Sequence, residues 1–351
     1  MNASRTWVSV GVAVVGLVAG PAIAVTIATV PVGNVGNAGE LSGAGAGGYG
    51  TDRICGSVGY TYNIGKYEVT AGQYCEFLNT VAATDTNGLY NTYMWSIDSG
   101  CKIRRSGSSG SYSYSVADDR ANRPVNYVSY WGACRFTNWL HNGQPTGPQG
   151  AGTTETGAYT LNGYNGNDGR TIQRNSGARW AVPTEDEWYK AAYHKNDGVT
   201  GDYFDYATSS DNIPGRDMSE ATNPGNNGNY RGNPWPIDSA TYYNTVAGEF
   251  QLSDSPYGTF DQGGNVWEWN EAIISSSRGL RGGSFLDYDS YLRAAYRGYY
   301  GLGPASEDGD VGFRVSEVPE PVSMAILALG GLAMLLRRRF GYAHRERGLR
   351  R

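Results

Sequence analysis

Several residue types that carry chemistry are scarce in this 351-residue chain. It has only 3 His and 4 Cys, and charged side chains make up 17% of it, against about 25% in ordinary soluble domains. The histidines do not have the spacing of a helical zinc site, and no glycine-rich loop opens a helix after a strand as a phosphate-binding loop does. No Ser/His/Asp set is recognisable either. These absences argue against His-based metallohydrolases, serine hydrolases and P-loop enzymes.

Glycine and aromatic residues are abundant instead. The chain has 51 Gly and 14 Pro, and aromatics reach 13%, with 27 Tyr and 9 Trp. This composition excludes a coiled coil, a helical bundle and a collagen-like rod. It also argues against intrinsic disorder, because disordered chains lack aromatic residues. We expect a buried core within a largely irregular backbone, in one large domain or two ordinary ones.

The first 24 residues are typical of a signal peptide, which signal peptidase removes on export. Arg5 gives a basic start, residues 8–19 form an apolar run, and Ala22-Ile23-Ala24 is a small-x-small cleavage site. A membrane anchor is the alternative interpretation. It is disfavoured because a spanning helix needs about 20 apolar residues.

The C-terminal region has a second targeting pattern. Pro319-Glu320-Pro321 precedes an apolar stretch at 322–336, and Arg337-Arg338-Arg339 follows it. Over residues 317–339 this resembles the PEP-CTERM sorting signal of Gram-negative bacteria, and a basic tail follows at 340–351. The resemblance implies processing by an exosortase-type machinery, transient membrane association through 322–336, and delivery to the cell surface or extracellular matrix. A permanent C-terminal anchor is the alternative.

Removal of both ends makes the remaining body acidic. Without residues 1–24 and 337–351 the chain has 20 basic and 32 acidic residues, a net charge of −12. Such a surface repels polyphosphates, so nucleic acid is not an expected partner. It suits hard cations better.

Three helices are predicted from capping patterns. Thr70 and Gln73 form a capping-box pattern before apolar residues at i, i+3, i+4 and i+7 spacing. Ser129 can cap a second helix, and Thr184 with Glu187 forms another capping box. Short strands are predicted at Tyr60–Tyr67, Trp267–Trp269 and Gly312–Val315. Residues 25–53 are expected to form a leader or linker, and 54–316 a single α+β domain dominated by coil.

Six sequence blocks in this domain occur in a characteristic order. They are Tyr67-Glu68-Val69-Thr70, Arg123-Pro124-Val125-Asn126-Tyr127-Val128-Ser129, Val182-Pro183-Thr184-Glu185-Asp186-Glu187-Trp188, Gly263-Gly264-Asn265-Val266-Trp267-Glu268-Trp269, Arg281-Gly282-Gly283-Ser284-Phe285 and Gly312-Phe313-Arg314. Over residues 54–316 the chain therefore resembles the formylglycine-generating enzyme (sulfatase-modifying factor) family. The resemblance implies an α+β, C-type-lectin-like fold that is rich in coil.

The family's chemistry depends on two cysteines, whose thiolates bind Cu(I) for oxidation of a substrate cysteine. The resemblance places those positions at Asp287 and Leu292, and the active-site histidine at Tyr288. A carboxylate is a hard ligand and leucine is no ligand, so we expect no copper site. Ser284 and Trp267 persist from the family's pocket.

We therefore expect an exported binding or matrix protein without oxidase activity. Its surface ligand, a peptide or a polysaccharide, would contact a pocket formed by Trp267, Ser284, Asp287, Tyr288 and Asp289. An oxidoreductase of the same family with an altered metal site is the alternative, and the sequence leaves enzymatic activity uncertain. A paired-acid hydrolase is conceivable from Asp287 and Asp289, but their spacing in a loop specifies no geometry.

Calcium is the cofactor that the resemblance implies. One family site maps onto Asp261, Gly264, Val266 and Glu268, and a second onto Asn229, Tyr230, Asp238 and Ala240. Alternating side-chain and carbonyl oxygens suit the six- to eight-oxygen shell of Ca²⁺. The alternative is that Glu268 is a buried, salt-bridged core residue.

The four cysteines lie in the first half of the chain, at Cys55, Cys75, Cys101 and Cys134. In an exported protein, four cysteines predict two disulfides, with three possible pairings. A reactive thiol pair is the alternative.

Overall fold

The structure, a computed structural model, describes residues 24–219, 225–239, 241–298 and 301–318. Nearly all of the predicted signal peptide, the sorting signal from residue 319 onward, the basic tail and Ala240 lie outside the described residues. Among the described residues, none of the helices has the length and apolar content needed to cross a bilayer.

The three predicted helices form where their capping residues place them. In α1 (Ala71–Val81) and α4 (Glu185–Tyr193) both halves of the capping box are present. In α3 (Tyr130–His141) the Ser129 side chain accepts a hydrogen bond from the Gly132 amide. A fourth, short helix, α2 (Tyr93–Ser96), was not expected.

The strands are short and form four small sheets. They are β1 (Thr29–Val32), β2 (Glu40–Ser42), β3 (Arg53–Cys55), β4 (Tyr62–Gly65), β5 (Ile103–Ser106), β6 (Ser113–Val116), β7 (Trp180–Ala181), β8 (Trp267–Ile274), β9 (Ser277–Arg281), β10 (Val311–Gly312) and β11 (Ser316–Glu317). One sheet has the order β1-β4-β11-β7 and is antiparallel. A second has the order β10-β8-β9, with β10 parallel to β8, and two hairpins, β2-β3 and β5-β6, complete the set.

The structure differs from the expected linker at 25–53. In that segment β1 pairs with β4, from Thr29 opposite Gly65 to Val32 opposite Tyr62, and β2 pairs with β3. The segment is part of the folded domain because β1 forms its backbone hydrogen bonds with β4, a strand 30 or more residues away, and β2 forms a hairpin with β3. Its glycine-rich composition concealed these long-range pairings.

An aromatic core lies between α1 and α3. The ring centroids of Tyr74 and Phe136 are 6.0 Å apart, and those of Phe77 and Trp139 are 5.3 Å apart. Phe313, just after β10, packs against Phe136 at 5.4 Å. This contact anchors the segment that carries the acidic residues before β10 against the rigid centre of the domain.

Several buried carboxylates are paired with arginines, among them Glu185 and Glu268. Glu185, the first residue of α4, accepts hydrogen bonds from Arg281 at 2.8 Å and Arg297 at 2.7 Å. Glu268 on β8 accepts two hydrogen bonds from Arg314, each of 2.6 Å. Each pair joins segments that are distant in sequence, which compensates for the small amount of regular structure.

The expected disulfides are not present. Cys55, Cys75, Cys101 and Cys134 are all free and buried. Cys55 packs with α4 residues in a separate cluster, whereas the other three lie in the main core. Burial raises the pKa of Cys101 to about 11, so the reactive thiol pair is not supported either.

Candidate functional site

The loop after β9 is organised by Ser284. Its hydroxyl lies 2.6 Å from Asp287 Oδ2, and its backbone amide donates to the same oxygen at 3.1 Å. The amide of Leu286 donates to the Ser284 hydroxyl at 3.1 Å. Asp287 is thus held in a fixed position at the start of the loop.

A second carboxylate, from Asp310, also lies 2.9 Å from the Ser284 hydroxyl. A hydroxyl has one proton and can donate to only one of these two oxygens. The arrangement therefore requires a further proton, held between Asp310 and Ser284. In agreement, burial raises the pKa of Asp310 to about 7, and the charges of Asp287 and Asp308 add to this, although the Ser284 hydrogen bond opposes it.

The structure brings together only part of the predicted ligand pocket. Ser284 and Asp287 are in contact, and Tyr288 is exposed beside them with the Arg231 guanidinium 5.3 Å from its ring. Asp289 begins a 3-10 turn. Trp267 is a core residue instead, only 1% exposed and packed on Tyr296.

A cavity of about 480 Å³ opens beside this loop. It is lined by Ser96, Ile97, Asp98, Ser99, Tyr127, Tyr243, Phe285, Leu286, Asp308 and Gly309. None of these residues was among the predicted pocket residues, although Tyr127 and Phe285 lie within two of the sequence blocks. No sequence signal marks Asp98 or Asp308, because they are about 210 positions apart.

One wall of the cavity is strained. Tyr127 has φ of +57°, a left-handed conformation that is costly for a bulky side chain and is often found at functional sites. Its amide donates to the carbonyl of Asp308 at 2.9 Å. A Cβ at Gly309 would lie 2.7 Å from the Tyr127 hydroxyl. Only glycine fits there while the ring keeps its place.

The first expected calcium site is occupied in part by an ion pair. Besides Arg314, the Trp188 indole donates to Glu268 at 2.7 Å, so that both carboxylate oxygens have partners. Asp261 has φ of +59°, and one of its oxygens accepts from the Gly248 amide at 2.5 Å. The salt-bridged alternative for Glu268 is therefore present in the structure.

The charge around this site nevertheless suits a divalent cation. Glu68, Asp261 and Glu268 interact electrostatically with one another and with Arg314, and Glu249 also acts on Asp261. If all three acids are ionised, the buried group carries a net charge of −2. The Oε2 atom of Glu68 is buried and has no hydrogen-bond partner among the described residues. Without a cation, burial raises the pKa of Asp261 to about 6 and that of Glu68 well above its usual range.

The described residues contain no group of three or more His, Cys, Asp or Glu side chains arranged to hold a metal ion. The first expected site would use only two carboxylates, Asp261 and Glu268, with backbone oxygens of Gly264 and Val266. These donors fit Ca²⁺ in charge and in hardness.

The second expected site is less complete. Asp238 pairs with Arg123 at 2.6 Å, and the Tyr230 hydroxyl donates to a backbone carbonyl. Asn229 is buried with an unpartnered Oδ1, and its carbonyl lies only 2.3 Å from where a Cβ of Gly264 would be. The two expected sites therefore lie next to each other. The second donor set fits a cation poorly, because the charge of Asp238 is already neutralised by Arg123.

Comparisons with known proteins agree with this fold. A family profile described as "Sulfatase-modifying factor enzyme 1-like domain" matches residues 57–318. The crystal structure of CarF is similar with a TM-score of 0.52 and 21% identity, covering 84% of this chain and 99% of CarF; at this identity the similarity shows the fold alone. Treponema denticola variable protein 1 gives a TM-score of 0.49 with 19% identity, covering 83% of this chain and 95% of that one. PvdO from Pseudomonas aeruginosa gives 0.45 with 17% identity, covering 83% and 94%.

A comparison with curated protein sequences gives no match. The family profile, however, covers most of the chain, including all six of the sequence blocks identified above. The chain therefore belongs to the sulfatase-modifying factor enzyme 1-like domain family and has its coil-rich α+β fold.

Proposed function

We propose that this protein is an exported binding or matrix protein that lacks the copper-dependent oxidation of its family. The observation that carries this proposal is the environment of the two positions onto which the resemblance maps the copper-binding cysteines. Asp287 offers a hard carboxylate that is held by Ser284, and Leu292 is fully buried and has no donor atom. Cu(I) prefers soft sulfur ligands.

The cavity beside Ser284 is the site where a ligand would bind. Its volume is in the range of small-molecule pockets. Its walls combine the aromatic rings of Tyr127, Tyr243 and Phe285 with two carboxylates, which gives contact area and a few orienting polar groups. A peptide or polysaccharide segment is the ligand class that we propose.

Two assays test this proposal. The purified domain, incubated with Cu(I), oxygen and a cysteine-containing peptide, should form no peptide aldehyde by mass spectrometry. Peptide and glycan arrays should show a ligand whose binding is lost in Leu286→Trp, because the indole fills the cavity mouth. Leu252→Trp, at another exposed leucine, is the control and should keep that binding. Copper-dependent aldehyde formation would overturn the proposal. A ligand that binds Leu286→Trp as tightly as the unmodified domain would also overturn it.

An oxidoreductase with an altered metal site is the second candidate. The observation in its favour is that carboxylate oxygens of Asp287 and Asp310 lie 2.6 Å and 2.9 Å from the Ser284 hydroxyl oxygen. Metal analysis of the purified domain discriminates the two. Stoichiometric copper or iron that is lost in Asp287→Ala would favour the enzyme, whereas calcium alone would favour the binding protein.

We also propose that Ca²⁺ binds at Asp261, Gly264, Val266 and Glu268. The cation would favour the ionised forms of Glu68, Asp261 and Glu268 and would neutralise the charge that they then carry in excess of Arg314. Chelation should lower the melting temperature of the domain. Asp261→Asn should remove most of that sensitivity, and Asp254→Asn, at an exposed aspartate, should keep it. An unchanged transition on chelation of the unmodified domain would refute the site.

Export to the cell surface of a Gram-negative bacterium is the proposed localisation. Cleavage after Ala24 would make Val25 the first residue, and its nitrogen lies 2.7 Å from the Gln144 side-chain oxygen, where a free amino group could keep the bond. Mass spectrometry of the mature chain from the cell surface should give an N-terminus at Val25 and a C-terminus shortened near Pro321. A full-length cytoplasmic chain would contradict this.

A further inference from the structure

The charge of the cavity has one sign. Among the described residues that line it, Asp98 and Asp308 are the only carboxylic acids, and none is Lys, Arg or His. Behind the wall, Asp308 and Asp287 both act on Asp310, so further negative charge lies close by. A ligand group that enters this cavity therefore meets a negative potential at short range.

Aromatic rings form part of the remaining walls, beside Ser96, Ser99, Ile97 and Leu286. Tyr127, Tyr243 and Phe285 line the cavity, and the centroids of Tyr243 and Phe285 are 5.7 Å apart. Aromatic faces attract cations and also cover hydrocarbon. The lining matches a cation carried on an aliphatic stem.

Two basic residues lie near the rim: the Arg104 guanidinium is 5.5 Å from the centroid of the Trp95 ring, and the Lys102 ammonium is already engaged. It donates to the carbonyl oxygens of Ile97 at 2.7 Å and Trp95 at 3.2 Å, and it lies 3.8 Å from Asp98. It therefore screens Asp98 in part. Asp308 accepts a hydrogen bond from the Gly309 amide and has no ion pair among the residues that the structure describes, so it supplies most of the uncompensated charge.

The rim of the cavity is apolar and exposed. Trp95, Ile97 and Leu286 are each about two-fifths exposed, and Tyr93 beside them is 52% exposed. Contiguous exposed apolar surface beside a pocket is typical of a protein-interaction site. Such a rim would pack against the residues that flank a cationic side chain in a peptide.

We propose that the cavity binds a lysine-like alkylammonium group of a peptide or protein partner, with the ammonium near Asp308 and the stem between the aromatic walls. This inference rests on the proposed function as a binding protein and names the chemistry that the site would select. The net charge of −12 on the body of the chain would speed the approach of such a partner.

Two matched probes test the charge requirement by NMR titration of the purified domain. N-acetyl-lysine methylamide should bind about tenfold more tightly than N-acetyl-norleucine methylamide, which differs from it by lacking the ammonium group. Asp308→Asn should remove that difference, and Asp254→Asn should keep it. Leu286→Lys, which places a competing ammonium at the mouth, should abolish lysine binding without affecting the fold, because Leu286 is exposed.

The outcomes separate this inference from the proposed function. Equal affinity for the two probes, or lysine binding that survives Asp308→Asn, would overturn the inference. Tighter binding of glucosamine than of the lysine probe would also overturn it in favour of an amino sugar. If arrays find an uncharged or anionic ligand that Leu286→Trp displaces, the binding function stands and the cation preference fails. If no ligand depends on the cavity, both fail.

Discussion

Glu185 offers the sharpest test of how this coil-rich domain is held together. Its carboxylate is 3% exposed and accepts hydrogen bonds from Arg281 and Arg297, and Arg53 lies 3.5 Å away. Burial by itself would raise the pKa of Glu185. The charge of Arg281 and the hydrogen bond and charge of Arg297 outweigh burial and hold that pKa at about 2.

The sign and size of the effect follow from this shift. A carboxyl whose pKa is lowered by folding from 4.5 to about 2 stabilises the folded state above pH 4.5. The shift corresponds to about 3 kcal/mol at neutral pH. That stabilisation declines as the pH falls below 4.5, is about 1 kcal/mol at pH 3, and vanishes near pH 2.

Urea unfolding of Glu185→Gln at pH 7 and pH 3 measures this contribution. At pH 7 the variant should lose about 3–5 kcal/mol, since it leaves two buried arginines without their acid. At pH 3 the difference from the unmodified protein should be smaller by about 2 kcal/mol, because the contribution of the ionised carboxylate falls from about 3 to about 1 kcal/mol. The neighbouring Asp186→Asn is the control, because Asp186 is more exposed, forms its ion pair with the partly exposed Arg53 and accepts a hydrogen bond from the Gly56 amide, so its loss should be about 1 kcal/mol or less. A Glu185→Gln penalty that is equal at both pH values, or no larger than that of Asp186→Asn, would refute the reasoning.

Three further predictions concern the site and its supports. Folding raises the pKa of Asp310 from 3.8 to about 7, so the stability that its protonated form contributes is lost as the pH rises through 7. Asp310→Asn has no such carboxyl group, and its melting temperature should therefore fall less between pH 5 and pH 8 than that of the unmodified domain. Gly264 has φ of +97°, and a Cβ at this position would lie 2.3 Å from a carbonyl oxygen, so Gly264→Ala should lower the free energy of unfolding in urea by about 3 kcal/mol. Gly263→Ala is the control: its Cβ would have no contact closer than 3.7 Å, and the loss should be about 1 kcal/mol or less. Alkylation of the denatured, unreduced protein should modify all four cysteines, and intact mass would reveal a disulfide if one forms.

Local patterns in the sequence predicted the helices and the family. A capping box joins residues three positions apart, so Thr70 with Gln73 and Thr184 with Glu187 specify helix starts without reference to the rest of the chain. The strand predictions were less accurate, because β8 extends from Trp267 to Ile274 and β10 and β11 flank the expected strand at 312–315. Strand limits depend on partners elsewhere in the chain.

The site itself was only partly predictable. Ser284 and Asp287 are three residues apart and were expected together, but Asp310 joins them from 26 residues away. The same block of sequence placed Trp267 in the pocket, yet its side chain lies in the core because β8 is buried between β9 and β10. Which face a strand residue presents depends on its neighbouring strands.

The amino-acid sequence alone determined where the helices start, which family the domain belongs to, and that positions 287 and 292 carry an aspartate and a leucine. Only the tertiary structure decided that residues 25–53 belong to the domain, that Glu268 pairs with Arg314, and that Asp98 and Asp308 share one cavity. The physical reason is the separation along the chain of the residues that interact. Capping and apolar periodicity act within one or two helical turns, whereas a cavity and a buried ion pair exist only once distant segments have packed together.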